Sequence, residues 1–318
     1  MKPIQGLHHI TAVASNPQKN VDFYHLLLGQ RLIKRTVNFD DPGTYHFYYG
    51  DEIGTPGTIM TYFPWQHVRR GRKGNGETGA VAYTIRPESV GFWQSWLNKN
   101  GITPVPVETR FGAEVLPFED PDGMSLELIV SDHPATLEFW ADGPIPDSHA
   151  LKGFHGVTLW LDTVEPTAAV LTGPMGYQFV GQEGNRYRYQ GASGDIGLYV
   201  DLLHRPGQPP AQFGAGSVHH IAFRTVDDAE QVEYQQTLRR AGLGVTPVRD
   251  RQYFHSIYFR EPGGVLFEVA TDAPGFLYDE PRAELGTHLK LPPWLEEHRP
   301  KITLALPTFE LKPIVKTL

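Results

Sequence analysis

The sequence contains no cysteine. That excludes disulfides, Fe–S clusters, thiolate zinc sites and a cysteine nucleophile together. No apolar run approaches the roughly 20 residues that a membrane-spanning helix needs. The opening segment, Met1-Lys2-Pro3-Ile4-Gln5-Gly6, has no apolar stretch of the signal-peptide kind. These absences predict a cytoplasmic protein with no membrane partner. A block of positive charge is missing too. The formal net charge is −8, and the one basic cluster, Arg69-Arg70-Gly71-Arg72-Lys73, sits in a Gly-rich stretch that reads as a solvated loop. Nucleic-acid binding needs clustered Lys and Arg, so it is not expected. What remains is an ordinary globular composition over 318 residues, a length for which two domains are the default.

Internal repetition organises the rest. Four segments open alike, with an extended apolar run followed by a helical pattern. They begin Gly6-Leu7-His8-His9-Ile10-Thr11, Gly79-Ala80-Val81-Ala82-Tyr83-Thr84, Gly153-Phe154-His155-Gly156-Val157-Thr158 and Ser217-Val218-His219-His220-Ile221-Ala222. Helices are expected over 17–28, 88–100, 165–171 and 227–240. Val21, Tyr24 and Leu28 recur at helical spacing, as do Val90, Trp93 and Leu97. Gly29, Gly101 and Gly242 stand where C-terminal caps belong. Shorter strands follow each helix. One ending occurs twice: Asp120-Pro121-Asp122-Gly123 before Met124-Ser125-Leu126-Glu127, and Glu261-Pro262-Gly263-Gly264 before Val265-Leu266-Phe267-Glu268. The unit is strand, helix, three strands (βαβββ), which makes the fold class α+β. Two units per domain predict domains at 1–142 and 152–275, with an aperiodic boundary between them. A tail follows at 276–318, in which Leu291-Pro292-Pro293-Trp294-Leu295-Glu296 reads as the start of a short helix.

Paired βαβββ units with histidine on the first strand and glutamate on the last resemble the vicinal-oxygen-chelate superfamily. That group includes glyoxalase I, bleomycin-resistance proteins, fosfomycin-modifying transferases and extradiol dioxygenases. Leu7-His8-His9-Ile10-Thr11, Tyr45-His46-Phe47-Tyr48, Gly54-Thr55-Pro56-Gly57-Thr58, Glu183-Gly184-Asn185-Arg186-Tyr187-Arg188-Tyr189, Asp201-Leu202-Leu203-His204, Val218-His219-His220 and Pro262-Gly263-Gly264 occur in that order. Together they resemble the hydroquinone-specific ring-cleaving dioxygenases, in particular the bacterial quinone-detoxifying branch. The resemblance runs from residue 3 into the tail near Pro293. It implies half-open mixed β-barrels and an oxidoreductase that opens a hydroquinone-type ring with O2 in aromatic detoxification or catabolism. The implied cofactor is Fe(II), with Mn(II) as the alternative, and the implied partners are a small aromatic substrate and O2. Homo-oligomerisation stays open. Competing readings are a catechol extradiol dioxygenase, a glyoxalase-like isomerase or thiol transferase, and a non-catalytic protein that sequesters aromatic compounds.

The residues support a metal site in their own right. Two imidazoles and a carboxylate on one side of an ion leave the opposite positions open, which suits an Fe(II) that must hold substrate and O2. His9, His220 and Glu268 supply that set. The His-His dipeptide stands at equivalent places in two repeats, and Glu268 lies in an apolar run where an unpaired carboxylate is costly. The site requires units one and four to lie side by side, as the family pairs them. By the resemblance, Tyr258, Arg251 and His219 are the expected catalytic residues, and His8 and Thr11 line the substrate pocket. Strict strand alternation points His8 and His219 away from the ligands. Asn185, Arg186 and Arg188 are candidates for the pocket rim, Thr61 stands where glyoxalase I has a fourth ligand, and His155 receives no role. The equivalent set in units two and three is read as Ala82, Gly156 and Glu127. Two of those cannot coordinate, so that second site is expected to be empty, with Glu127 in a salt bridge or turn.

Overall fold

The computed structural model describes residues 2–132, 137–192 and 196–316. Each repeat folds as βαβββ. Unit one is β1 (Leu7–Ala14), α1 (Pro17–Val21), β2 (Arg31–Asn38), β3 (Asp41–Gly50) and β4 (Ile59–Pro64). Unit two is β5 (Glu77–Ile85), α2 (Val90–Lys99), β6 (Glu108–Arg110), β7 (Ala113–Glu119) and β8 (Ser125–Val130). Unit three is β9 (Phe154–Leu161), α3 (Glu165–Thr172), β10 (Gln178–Glu183), β11 (Arg186–Gln190) and β12 (Tyr199–His204). Unit four is β13 (Val218–Thr225), α4 (Asp228–Arg240), β14 (Arg249–Asp250), β15 (Phe254–Arg260) and β16 (Leu266–Pro274).

Local chemistry sets the helix ends. The Asn16 side chain accepts the Lys19 N–H at 3.0 Å, and Pro17 needs no partner at the first position. Beyond Val21 this helix widens into a π-helical stretch over Asp22–Leu27, and the chain turns at Gly29 with φ +69°. In α4 the Asp227 side chain accepts the Glu230 N–H at 2.9 Å. Asp228 and Glu230 in its first turn and Arg239 and Arg240 in its last complement the helix dipole.

Two mixed eight-stranded sheets result. Their strand orders are β14-β15-β16-β13-β1-β4-β3-β2 and β10-β11-β12-β9-β5-β8-β7-β6. Each sheet therefore takes one unit from either half of the sequence: one with four, and two with three. In the first sheet β1 runs antiparallel to β13, and each is followed on its other side by a parallel strand, β4 and β16. This brings the two His-His dipeptides together at the sheet centre. The segment after β16 returns to unit one, with a short helix α5 (Arg299–Ala305). Lys34 of β2, fully buried, meets Asp279 at 2.6 Å and Glu280 at 2.5 Å, and Phe309 packs on Tyr45 and Phe47. The last two residues of the tail lie outside the described residues.

The second sheet corrects one alignment made from sequence. Glu268 lies beside Ala222, which pairs with His9, and His220 pairs with Thr11. Glu127 lies beside Ala82, which pairs with Gly156, and Ala80 pairs with Thr158. Gly156 thus takes the place of His9 and Glu127 that of Glu268, but the counterpart of His220 is Ala80, not Ala82. The offset arises because both central strand pairs carry register irregularities that a residue count cannot reveal. A Cβ at Gly156 would stand 2.2 Å from the Tyr199 carbonyl oxygen, so no ligand side chain fits there. Both Glu127 oxygens are instead taken by Arg110, at 2.8 and 3.0 Å. Glu127→Gln should cost about 3 kcal/mol of stability, the cost of breaking a buried pair, while bound metal per chain, measured by elemental analysis, stays that of the wild type.

Candidate metal centre and its cavity

Strands β1, β13 and β16 deliver His9, His220 and Glu268 to one buried point. His220 Nε2 lies 2.8 Å from Glu268 Oε2, His9 Nε2 lies 3.4 Å from the same oxygen, and the two Nε2 atoms are 3.4 Å apart. Ligands about 2.1 Å from an ion stand about 3.0 Å apart at right angles and about 3.4 Å apart at the tetrahedral angle. The triangle fits either geometry. The three residues form the one such cluster among the described residues.

The surroundings fit a cation as well. Ser256 on β15 donates to Glu268 Oε1, while Oε2 is buried and faces only the two imidazoles, His220 and His9. One oxygen is held by the protein and the other is left for a ligand to the metal. Burial pushes the Glu268 carboxyl up, but the combined pull of His9 and His220 outweighs it and holds the group well below its ordinary range. The Nδ1 atom of each ligand ring faces its sequence neighbour, His8 to His9 at 2.9 Å and His219 to His220 at 2.7 Å. If Nε2 of each ring faced a metal, Nδ1–H would donate to the adjacent ring, which would fix tautomer and orientation. Adjacent residues can do this despite strand alternation because Nδ1 lies close to the backbone and the paired rings stand nearly perpendicular. Burial keeps His8 well below its ordinary pKa and brings His219 down to about 3, so both are neutral partners.

A cavity of about 190 Å³ opens beside His9 and His220. Phe39, Phe63, Trp65 and Phe254 give it aromatic walls, and Asn38, Asp40, His46, Tyr48, His219, Arg251 and Tyr258 supply its polar groups. Arg251 Nε donates to Tyr258 Oη at 3.1 Å. Arginine has only donors, so the phenol accepts there, and it also hydrogen-bonds Ser256, the residue that donates to Glu268. Burial, and the nearby Glu268, raise the Tyr258 pKa, which keeps the phenol protonated.

The sequence-based candidates are placed unevenly. His219, Arg251 and Tyr258 line the cavity. His8 faces a separate cavity of about 210 Å³ with Ile53, Tyr253 and Phe254. Thr11 is fully buried and accepts from Thr61 at 2.8 Å, away from the cavity wall. Thr61 in turn meets His46 Nε2 at 2.9 Å, and Tyr48 Oη meets His46 Nδ1 at 2.9 Å. Sequence reasoning gave His46 and Tyr48 no role, although their alternate positions within one resemblance motif were a usable signal. Arg186 and Arg188 pair with Asp201 in the second sheet, and Asn185 binds the His204 carbonyl. His155 lies half-buried, and desolvation lowers its pKa to about 3.

Known proteins resemble the chain in sequence and in fold. The sequence model of the Glyoxalase/Bleomycin resistance protein/Dioxygenase superfamily matches residues 6–128 and 125–269. The chain is 46% identical to "Putative ring-cleaving dioxygenase MhqO" of Bacillus subtilis, over 98% of both chains. It is 38% identical to the chlorohydroquinone/hydroquinone 1,2-dioxygenase of Sphingobium indicum, over 92% of this chain and 93% of the relative. A crystal structure of a "putative dioxygenase" from Bacillus subtilis superposes with a TM-score of 0.94 at 44% identity, covering 99% of this chain and all of the other.

Proposed function

Because the chain belongs to the Glyoxalase/Bleomycin resistance protein/Dioxygenase superfamily, we propose that it holds Fe(II) through His9, His220 and Glu268 and opens a hydroquinone-type ring with O2. The observation that carries this reading is the buried ligand triangle facing an aromatic-walled cavity from one side. The relative that acts on hydroquinone and chlorohydroquinone supports the substrate class. Bound iron would supply the electron transfer that lets O2 react with a phenolic ring, chemistry that no side chain provides.

The protein's own residues do the rest. Phe63, Trp65 and Phe254 confine a flat ring and keep water from it. Tyr258, a neutral phenol that hydrogen-bonds Ser256, can turn its proton to a substrate oxygen and move a proton there. Arg251 fixes the Tyr258 oxygen and adds positive charge beside developing negative charge. His8 and His219 hold the ligand rings, and His219, whose Nδ1 accepts from His220, can present its Nε2–H to a substrate oxygen on the cavity wall. The pocket supplies a partner for one hydroxyl at the metal and one opposite it. Hydroquinone should therefore be cleaved at least about tenfold faster than catechol by the Fe(II)-loaded protein, a difference of about 1.4 kcal/mol in the barrier. Oxygen uptake with each substrate measures the ratio. A faster catechol rate would make the enzyme an ordinary extradiol dioxygenase.

A further inference from the structure

The β2–β3 turn and the β14–β15 turn belong to opposite edges of the first sheet, yet they meet at the cavity. Asp40 on the first turn accepts from Arg251 Nη1 on the second at 3.0 Å. Arg251 is also the residue whose Nε is committed to Tyr258. Among the described residues that line the cavity, it alone carries a permanent positive charge. The next residue, Gln252, has φ +69°, and its N–H is held by Asp250 at 2.7 Å, so the turn aims Arg251 through a strained backbone. Asp40 is 63% exposed and lines the cavity.

We propose that Asp40 determines specificity: by occupying Arg251, it denies a counter-ion to carboxylate-bearing rings and reserves the cavity for uncharged diols. This rests on the hydroquinone reading given above. A ring carboxylate entering the wild-type cavity must displace Asp40 or lie unpaired beside it, and either cost selects against it. Asparagine at 40 keeps the shape but removes the charge. Arg251 then keeps its charge without a counter-ion, and its planar donors suit an incoming carboxylate better than the neutral amide oxygen left at 40.

The matched probes are 2,5-dihydroxyphenylacetate and 2,5-dihydroxyphenylacetamide, which differ in charge and hardly in shape. With the full Fe(II)-loaded chain, the wild type should favour the amide over the acid in kcat/KM by about fivefold, the upper end for a charge pair with one exposed partner. Asp40→Asn should abolish that preference, chiefly through a lower KM for the acid, and Asp40→Glu should restore it. An unchanged ratio in Asp40→Asn, or a wild type that already prefers the acid, would overturn the proposal. Quenching of tryptophan fluorescence gives equilibrium binding of the same two probes. If hydroquinone itself is not cleaved, the functional reading fails, and binding alone still decides whether Asp40 sets the charge preference.

Discussion

Alanine at His9, His220 or Glu268 is expected to strip the protein of tightly bound metal, with an affinity loss above the roughly 10- to 100-fold typical of removing an outer partner. Each residue supplies one corner of a triangle with edges of 2.8 to 3.4 Å, and no other carboxylate or imidazole in the described cluster can replace it. Glu268→Gln should behave like the alanine variant, because an amide keeps the volume but not the charge that offsets a divalent ion. Addition of Fe(II) under anaerobic conditions should raise the wild-type unfolding temperature and leave the three alanine variants unmoved, since ligand binding to the native state adds stability by mass action. Elemental analysis showing one equivalent of metal in any of the three would remove the triad from the account.

Tyr258→Phe should lower kcat by about 10²- to 10⁴-fold, the usual contribution of a positioned proton donor, while metal content stays full. The ring packs edge-on against His220 with centroids 5.7 Å apart, and phenylalanine keeps that contact. What disappears is the hydroxyl that accepts from Arg251 and carries the transferable proton. A variant with both ordinary turnover and full iron would mean that the proton moves elsewhere, with His219 the next residue to test.

Much of this architecture is legible in the order of the amino acids. Apolar runs and helical spacing mark the four βαβββ units, and Asn16 and Asp227 act as the caps their side chains suit. The two His-His dipeptides and Glu268 stand out because a repeat makes an inserted ligand conspicuous against its degenerate copy. Three things stay hidden for physical reasons. A residue count places the counterpart of His220 two residues out, at Ala82, because strand irregularities shift register without a local signature. The contacts of His8 and His219 with the ligand rings escape the alternation rule, which describes where side chains point but not how near Nδ1 lies to the backbone. The Asp40–Arg251 pair joins residues 211 positions apart at opposite sheet edges, and only the curl of the open sheet brings them together.

The most direct test of the central claim is oxygen stoichiometry with isotope tracing on the Fe(II)-loaded wild type and hydroquinone. One O2 should be consumed per ring, giving an acyclic product with label from ¹⁸O2 within it. Formation of benzoquinone with reduced oxygen released as peroxide or water, and no label in carbon-bound product, would contradict ring cleavage and leave the triad as the centre of a different reaction.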